Sequence, residues 1–139
     1  METKIYDVLP PEAIQIRTVV FVEEQGFTEE FDGIDDIAQH FVVFDDKAAV
    51  ATCRLFEQAP HNYIVGRIAV MQPYRGKQIG ANLLRTVERI VRGNKGCSVA
   101  LHAQVAAQRF YEKQGYVAYG TVDYEEHCPH IWMRKNLDP

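Results

Sequence analysis

The fold is decided by the sequence RIAVMQPYRGKQIGANLL, residues 67–84 of the 139-residue chain. It follows a β-type run and leads into a helix, because the apolar positions 83, 84, 87, 90 and 91 recur at helical spacing. Gly93 and Asn94 then supply the helix stop. The segment therefore predicts a strand that passes through a glycine-containing loop into an amphipathic helix.

The loop of this segment has an unusual charge pattern. A helix start exposes unpaired backbone N–H groups and favours nearby carboxylates. Here no Asp or Glu occurs from Met71 through Val87, whereas Arg75 and Lys77 do. The spacing matches neither the G-x-x-x-x-G-K-[ST] loop of nucleoside triphosphatases nor the G-x-G-x-x-G dinucleotide turn. The helix start is thus predicted to bind an anion of another kind.

The rest of the chain predicts an α/β fold in one domain spanning residues 1–139. Strands are expected at residues 4–8, 40–45, 48–56, 62–70, 97–102, 116–119 and 130–136, and helices from Pro10 to about Gly26, from Gly80 to Gly93 and from Ala106 to Gln114. Ile14, Thr18 and Phe21 are expected on the buried face of the first helix. Strands joined through a helix are expected to run parallel, so the sheet is predicted to be mixed, with helices on its faces.

Composition narrows the class of protein. Fifteen Lys and Arg against 19 Asp and Glu give a net charge of −4, which argues against a nucleic-acid partner. The apolar runs fall far short of the ~20 residues that span a bilayer, so no membrane role is expected. The three cysteines form no C-x-x-C pair, as expected of reduced thiols. We therefore expect a cytoplasmic protein.

Two motifs carry a family resemblance. RGKQIG, residues 75–80, resembles the [RQ]-x-x-G-x-[GA] motif of the GNAT superfamily of N-acyltransferases, and AAQRFYEKQGY, residues 106–116, resembles its A-x-x-F-Y-x-K-x-G-[FY] block. Residues 17–25, 101–104 and 128–133 are similar to the small bacterial YjcF-like subgroup. Gln78 departs from the pattern because the family usually has glycine there. A side chain at this position is costly only if the backbone needs a positive φ.

The resemblance implies the GNAT fold, a mixed and mostly antiparallel sheet with splayed parallel strands, and acetyl-CoA as co-substrate. The coenzyme-binding residues it implies are Ile68, Ala69, Val70, Arg75, Gly76, Lys77, Gln78, Ile79, Gly80, Ala81, Phe110 and Tyr111. The pyrophosphate would lie on the N–H groups of residues 75–81, and pantetheine along residues 68–70. The N–H of Val70 would stabilise the oxyanion.

The resemblance also implies an acid and a base. Tyr111 would protonate the departing thiolate, since a phenol with a pKa of ~10 keeps its proton at neutral pH. Glu24 is the first candidate for the group that takes the proton of the amine, and His102 is the second. Further candidates are Asp35, Asp36, His40, Glu125 and His130.

The acceptor is expected to be a small-molecule or peptidyl primary amine. Residues 23–36 contain seven acids and no Lys or Arg, which is typical of a hydrated surface but also suits a groove that attracts a cationic amine. His127, Cys128 and His130 match no zinc spacing, so no metal is expected. The resemblance implies a homodimer. The alternative is a non-catalytic coenzyme A-binding sensor or assembly module with the same fold.

Overall fold

The computed structural model describes residues 1–137 and contains a seven-stranded mixed sheet with the order β1-β2-β3-β4-β5-β7-β6. The strands are β1 (Glu2–Tyr6), β2 (Gln39–Asp45), β3 (Ala48–Ala59), β4 (Asn62–Val70), β5 (Ser98–Gln104), β6 (Val117–Glu125) and β7 (Cys128–Asn136). The α-helices are α1 (Pro11–Arg17), α2 (Ile79–Gly93) and α3 (Gln108–Lys113). The predicted α/β class and element order are confirmed.

The strand directions follow the prediction at one connection and not at another. β4 and β5, which α2 joins, pair in parallel through residues 62–64 and 98–100, as predicted. β1 and β2 are also joined through a helix, but they pair antiparallel, so that expectation was wrong. The connection at residues 7–38 includes a long segment after α1, and this segment turns the chain back along its own starting strand.

The first helix differs from its prediction in its second half. α1 continues into a π-helical segment, Thr18–Glu24, and the chain leaves it at Gly26, whose φ is 79°. The helix therefore ends where expected. Of the three positions predicted to be buried, Phe21 is buried and Thr18 is half-buried, but Ile14 is 41% exposed, so the prediction was wrong there. The other buried positions are Ala13, Ile16, Arg17 and Val20, one of which is an arginine.

β6 is longer than predicted. The expected strand stops at Tyr119, but β6 continues to Glu125. Gly120 has a φ of 78°, and the β6–β7 register shifts between Tyr119 and Asp123. The glycine thus marks an irregularity within the strand rather than its end. The two carboxylates of its second half become part of a site described below.

The described chain divides into two compact units. The first contains residues 1–56 and 66–86, and the second contains residues 57–65 and the described residues from 87 onward. The core of the first unit includes Phe41 and Val42 of β2 and Ile16 of α1, and that of the second includes Leu101 of β5 and Met133 of β7. One domain over residues 1–139 stays a prediction, and residues 138 and 139 lie outside the described part. No helix within residues 1–137 has the length and apolarity needed to cross a membrane.

Candidate active site

The loop between β4 and α2 belongs to the first unit. The N–H of Met71 donates to the Val50 carbonyl (2.8 Å), which fixes the chain as it leaves β4. A 3-10 turn, Gln72–Tyr74, and four exposed residues, 75–78, then lead into α2. Within α2 the N–H of Asn82 donates to the Gln78 carbonyl (3.0 Å). Helix geometry gives the N–H groups of residues 79–81 no partner within the helix.

The start of α2, which is predicted to bind an anion, lacks acidic residues and has exposed cations before it. The first turn of α2 contains no acidic residue. The side chains of Ile79 and Ala81 are buried, while Gly76 and Lys77 are exposed, with the Lys77 ammonium over the Tyr74 ring (5.4 Å to the centroid). Buried apolar side chains anchor the helix start and leave its polar backbone to a ligand. This arrangement suits a phosphate or diphosphate.

Gln78 has a φ of 65°, in the left-handed region. A left-handed backbone conformation is least unfavourable for glycine, which has no Cβ atom. Glutamine in place of the glycine of the motif therefore strains the backbone here. Gly76, two residues earlier, has a φ of 78°. The loop thus keeps a conformation that the glycine of the motif would adopt easily, although glutamine occupies the position.

Arg75 connects two predicted site groups. Its Nε donates to the Val70 carbonyl (2.9 Å), and its Nη2 donates to Oε2 of Glu24 (2.7 Å). The side chains of Arg75 and Glu24 are 42% and 30% exposed. A residue predicted to bind the coenzyme therefore holds the carboxylate predicted to act as the base.

β4 has an irregular backbone just before its predicted coenzyme-binding residues. Arg67 has a φ of 51° within the strand, and it precedes Ile68, Ala69 and Val70. Its Nε donates to the Glu30 carbonyl (3.1 Å) and also pairs with the Glu30 carboxylate. Ala69 is buried, and Ile68 and Val70 are half-buried. The left-handed residue gives this end of β4 a local kink.

A buried network of charged groups lies in the same unit, and we call it the arginine network. Its members are Arg17, Arg54 and Arg67 with Glu30, Asp32 and Asp35. Arg17 donates to Glu30 (2.9 Å) and to Asp35 (2.7 Å). Arg54 donates to Asp32 (2.6 Å) and Asp35 (2.9 Å). With Glu24, which pairs with Arg75, four of the seven acids in the segment 23–36 are paired with arginines, so the segment is not simply a hydrated acidic surface.

The network sets the pKa values of its carboxyls in opposite directions. Burial raises the pKa of Asp35, but hydrogen bonds from Arg17 and Arg54 and the charge of Arg17 outweigh it and leave the pKa at about 2. Burial raises the pKa of Glu30, and the arginines offset only part of this effect. His40 is buried and its Nε2 lies 2.9 Å from the Asp35 carbonyl. Asp35 and His40, two candidates for the base, are thus held in the network.

The second unit contains the predicted acid. Tyr111 on α3 is half-buried, and its ring lies edge-on to Phe110 (5.0 Å between centroids) and to Tyr116 (6.3 Å). The Tyr111 carbonyl accepts from the N–H of Tyr116 (3.1 Å), and Gly115 at the helix end has a φ of 96°. The predicted helix stop at Gly115 is therefore confirmed, and it fixes the backbone of the motif that carries Tyr111.

His102 has carboxylates at both ring nitrogens. Nδ1 lies 3.1 Å from Glu125, and Nε2 lies 2.6 Å from Asp123. The ring also stacks on Trp132 (4.8 Å, 22°). Both ring nitrogens are therefore already in contact with a carboxylate. His130, whose Nδ1 lies 2.9 Å from the Cys128 carbonyl, pairs with Glu125 through Nε2 (3.2 Å). Within residues 1–137, no group of three or more His, Cys, Asp or Glu is arranged to hold a metal.

The sequence reasoning missed the partners of these groups. Arg17 and Arg54 each stand alone in an apolar run, IQIRTVV and ATCRLF, while the segment 23–36 has acids and no basic residue. This complementary pattern was the available signal, because a lone charge in a core segment needs a counter-charge. Glu88 was missed as well: it is buried on α2 and accepts from Tyr116 Oη (2.9 Å) and Lys135 Nζ (2.9 Å).

Comparison with known proteins supports the resemblance over nearly the whole chain. A family model described as an acetyltransferase (GNAT) domain matches residues 7–137. The N-acetyltransferase YjcF of Bacillus subtilis is 27% identical over 128 residues, which cover 90% of this chain and 91% of YjcF. The predicted similarity to YjcF is therefore confirmed.

Solved structures have the same fold. The crystal structure of a Lactobacillus plantarum protein is 32% identical and has a TM-score of 0.88, with 99% of each chain covered. An aminoglycoside 6'-N-acetyltransferase crystallised with coenzyme A is 19% identical and has a TM-score of 0.77, with 100% of this chain and 98% of that chain covered. The predicted GNAT fold is confirmed.

Proposed function

Because the chain belongs to the GNAT acetyltransferase family, we propose that it transfers the acetyl group of acetyl-CoA directly to a primary amine. The observation that carries this proposal is the acid-free start of α2, which follows a loop with exposed Arg75 and Lys77 and a left-handed Gln78. Its N–H groups and cations suit the diphosphate of the coenzyme. The coenzyme A bound to a neighbour of the same fold adds support.

The proposed coenzyme site follows the motif. The diphosphate lies on the N–H groups of residues 75–81, which include Gly76, Ile79, Gly80 and Ala81, and the pantetheine arm runs along Ile68, Ala69 and Val70. Phe110 and Tyr111 complete the set of coenzyme-binding residues. Acetyl-CoA acts here as co-substrate, and the proposed reaction uses no metal.

The proposed reaction is a direct attack of the amine on the thioester of acetyl-CoA. The ammonium of the acceptor loses a proton to Glu24, directly or through water, and the free amine attacks the thioester carbonyl. The Val70 N–H stabilises the resulting oxyanion. The C–S bond then breaks, the Tyr111 hydroxyl donates a proton to the sulfur, and the second proton that the nitrogen loses restores the Tyr111 hydroxyl. The products are the N-acetylated amine, coenzyme A and one proton that passes to solvent.

Glu24 is preferred over His102 as the base on geometric grounds. Both nitrogens of His102 face carboxylates, whereas the contact of Glu24 is with one exposed guanidinium. His102 is therefore the second candidate for the base. The charge of the segment 23–36 does not narrow the class of acceptor beyond a small-molecule or peptidyl amine, since four of its acids are paired with arginines. We also propose that the protein acts in the cytoplasm as a homodimer.

The test begins with calorimetric titration of the purified protein with acetyl-CoA, with ATP as a control ligand. We expect ~1:1 binding in the micromolar range. Changing Arg75 and Lys77 together to alanine should weaken it at least about tenfold. The matched control is Arg89→Ala with Arg92→Ala, which removes the same charge from exposed positions farther along α2. Equal weakening in both pairs, or no binding by the parent, would refute the coenzyme site.

Turnover then separates the enzyme from a non-catalytic coenzyme A-binding module. With an acceptor found by screening amines against acetyl-CoA, Tyr111→Phe should lower turnover about 10²- to 10⁴-fold and leave the Kd of acetyl-CoA unchanged. The control is Tyr119→Phe, on the partly exposed Tyr119 ring. A parent that binds acetyl-CoA but acetylates no amine would favour the sensor or assembly module. Unchanged turnover in Tyr111→Phe would remove Tyr111 as the acid.

A further inference from the structure

The Arg75 side chain bridges two groups that the proposed reaction uses separately. Its Nε is hydrogen-bonded to the carbonyl of Val70, the last residue of β4, and its Nη2 is hydrogen-bonded to Glu24 at the end of the π-helical segment. The Glu24 oxygen in this contact, Oε2, is 2.7 Å from Nη2. The proposed base is therefore hydrogen-bonded to a proposed coenzyme-binding cation.

We infer that coenzyme and Glu24 compete for Arg75, so that coenzyme binding releases the Glu24 carboxylate and makes it available to the amine. This inference rests on the proposed function. A carboxylate oxygen that already accepts a hydrogen bond from a guanidinium has less room to accept one from an incoming ammonium. Arg75 is thus the positioning residue that links coenzyme binding to the release of Glu24.

The exposure of the pair makes such an exchange feasible. Both side chains are well exposed, at 42% and 30%, and ion pairs of this kind contribute little to stability. A diphosphate carries more charge than one carboxylate, and a guanidinium can bind it through two parallel N–H donors. The diphosphate should therefore replace Glu24 as the partner of Arg75 at small cost.

The location of Arg75 also supports the exchange. It lies in the exposed segment 75–78 directly before α2, where the helix start is predicted to bind the same diphosphate. Its Nε contact with the Val70 carbonyl involves no carboxylate and can persist when Glu24 leaves. The arginine network offers no such exchange, because Arg17 is 1% exposed and no ligand can reach it without opening the core.

The test is a double-mutant cycle on the Kd of coenzyme A, measured by calorimetry with Glu24→Gln, Arg75→Gln and the double variant. Glu24→Gln should bind coenzyme A about two- to fivefold more tightly than the parent, since Arg75 no longer has to leave a charged partner. In the Arg75→Gln background the same change should have no effect. The matched control is Glu23→Gln, which removes the same charge from the exposed neighbouring residue.

Three results would overturn the inference: unchanged or weaker binding by Glu24→Gln, equal tightening by Glu23→Gln, or tightening that persists without Arg75. Each of them leaves the coenzyme site of the proposed function intact. Absence of coenzyme A binding by the parent would instead overturn both. Glu24→Gln should also lower turnover while it tightens coenzyme binding, a pair of opposite changes that a purely structural role of Glu24 does not produce.

Discussion

The first unit contains two assemblies of arginine and carboxylate that differ mainly in burial. In the arginine network, Arg17 is 1% exposed and contacts Glu30 and Asp35 with three of its nitrogens. In the exposed pair, Arg75 is 42% exposed and contacts one carboxylate. The chemical groups are alike, but water reaches both members of the exposed pair, whereas Arg17, Glu30 and Asp35 in the network are buried. Burial therefore decides which assembly holds the fold and which can exchange its partner for a ligand.

In the arginine network, each buried charge needs the hydrogen bonds and the opposite charges of its partners. A buried charge whose partner is removed loses its hydrogen bonds without regaining water. Arg54 illustrates the limit, since its Nε is buried and has no hydrogen-bond partner within the described residues. The exposed pair makes no such demand, because water solvates both groups when they separate. The predictions below test this contrast.

The largest expected effect is that of Arg17→Met. It leaves the carboxylates of Glu30 and Asp35 buried with fewer partners, and we expect a loss of about 3–5 kcal/mol in the free energy of unfolding. Urea denaturation measures this change. Arg92→Met, at an exposed position in the last turn of α2, is the control and should cost under about 1 kcal/mol. A loss below 1 kcal/mol for Arg17→Met would show that the network does not hold the fold.

The next effect is the pH dependence contributed by Asp35. Its pKa is about 2 in the folded protein and ~3.9 in an unfolded chain, so its contribution is present above pH ~4 and is lost as the pH falls towards 2. The size of this contribution is on the order of 2 kcal/mol. Glu30, whose pKa is raised, acts in the opposite direction, because its ionisation above pH ~4 costs stability.

Unfolding free energies at pH 5, 4 and 3 test this sign. The parent should lose stability more steeply than Asp35→Asn, in which the contribution of Asp35 is absent. Asp36→Asn, at the exposed neighbouring position, should keep the slope of the parent. A slope in Asp35→Asn as steep as that of the parent would contradict the assignment.

The sequence predicts much of the fold because the decisive signals are local. The stripe of residues 83, 84, 87, 90 and 91 predicts α2, and β4 falls at residues 62–70 as expected. The predicted direction of β1 against β2 was wrong because it depends on a long connection whose path periodicity does not reveal, and the predicted burial of Ile14 was wrong as well. The strand β6 extends to Glu125, beyond its predicted end at Tyr119.

The candidate site could be predicted as residues but not as contacts. The motif positions follow from the resemblance, whereas the pairing of Arg75 with Glu24 joins residues 51 positions apart. The partners of Asp35 and His102 come from distant strands in the same way. Sequence patterns report local periodicity and charge, and they do not report which opposite charges meet.

A smaller effect concerns the loop that carries Arg75. Gln78 is strained because its φ is 65°, a left-handed conformation that glycine adopts more easily. Gln78→Gly should therefore stabilise the protein by about 0.5–1 kcal/mol. Gly76→Ala is the matched opposite change: its φ is 78° and nothing lies near an added Cβ, so it should destabilise by about 1 kcal/mol through backbone strain alone. Urea denaturation of both variants tests the pair. Equal signs for the two variants would refute the strain.

The smallest expected effect is on the exposed pair itself. Glu24→Gln should change the free energy of unfolding by less than about 0.5 kcal/mol, because an exposed ion pair contributes little and Arg75 keeps its bond to the Val70 carbonyl. The comparison variant is Asp35→Asn, the corresponding carboxylate-to-amide change in the arginine network, which should cost several times more since Arg17 and Arg54 lose a buried counter-charge. Equal losses in the two variants would mean that burial does not separate the assemblies. A near-neutral Glu24→Gln would show that the fold does not need this carboxylate, so a loss of turnover in the same variant would report on the reaction rather than on stability.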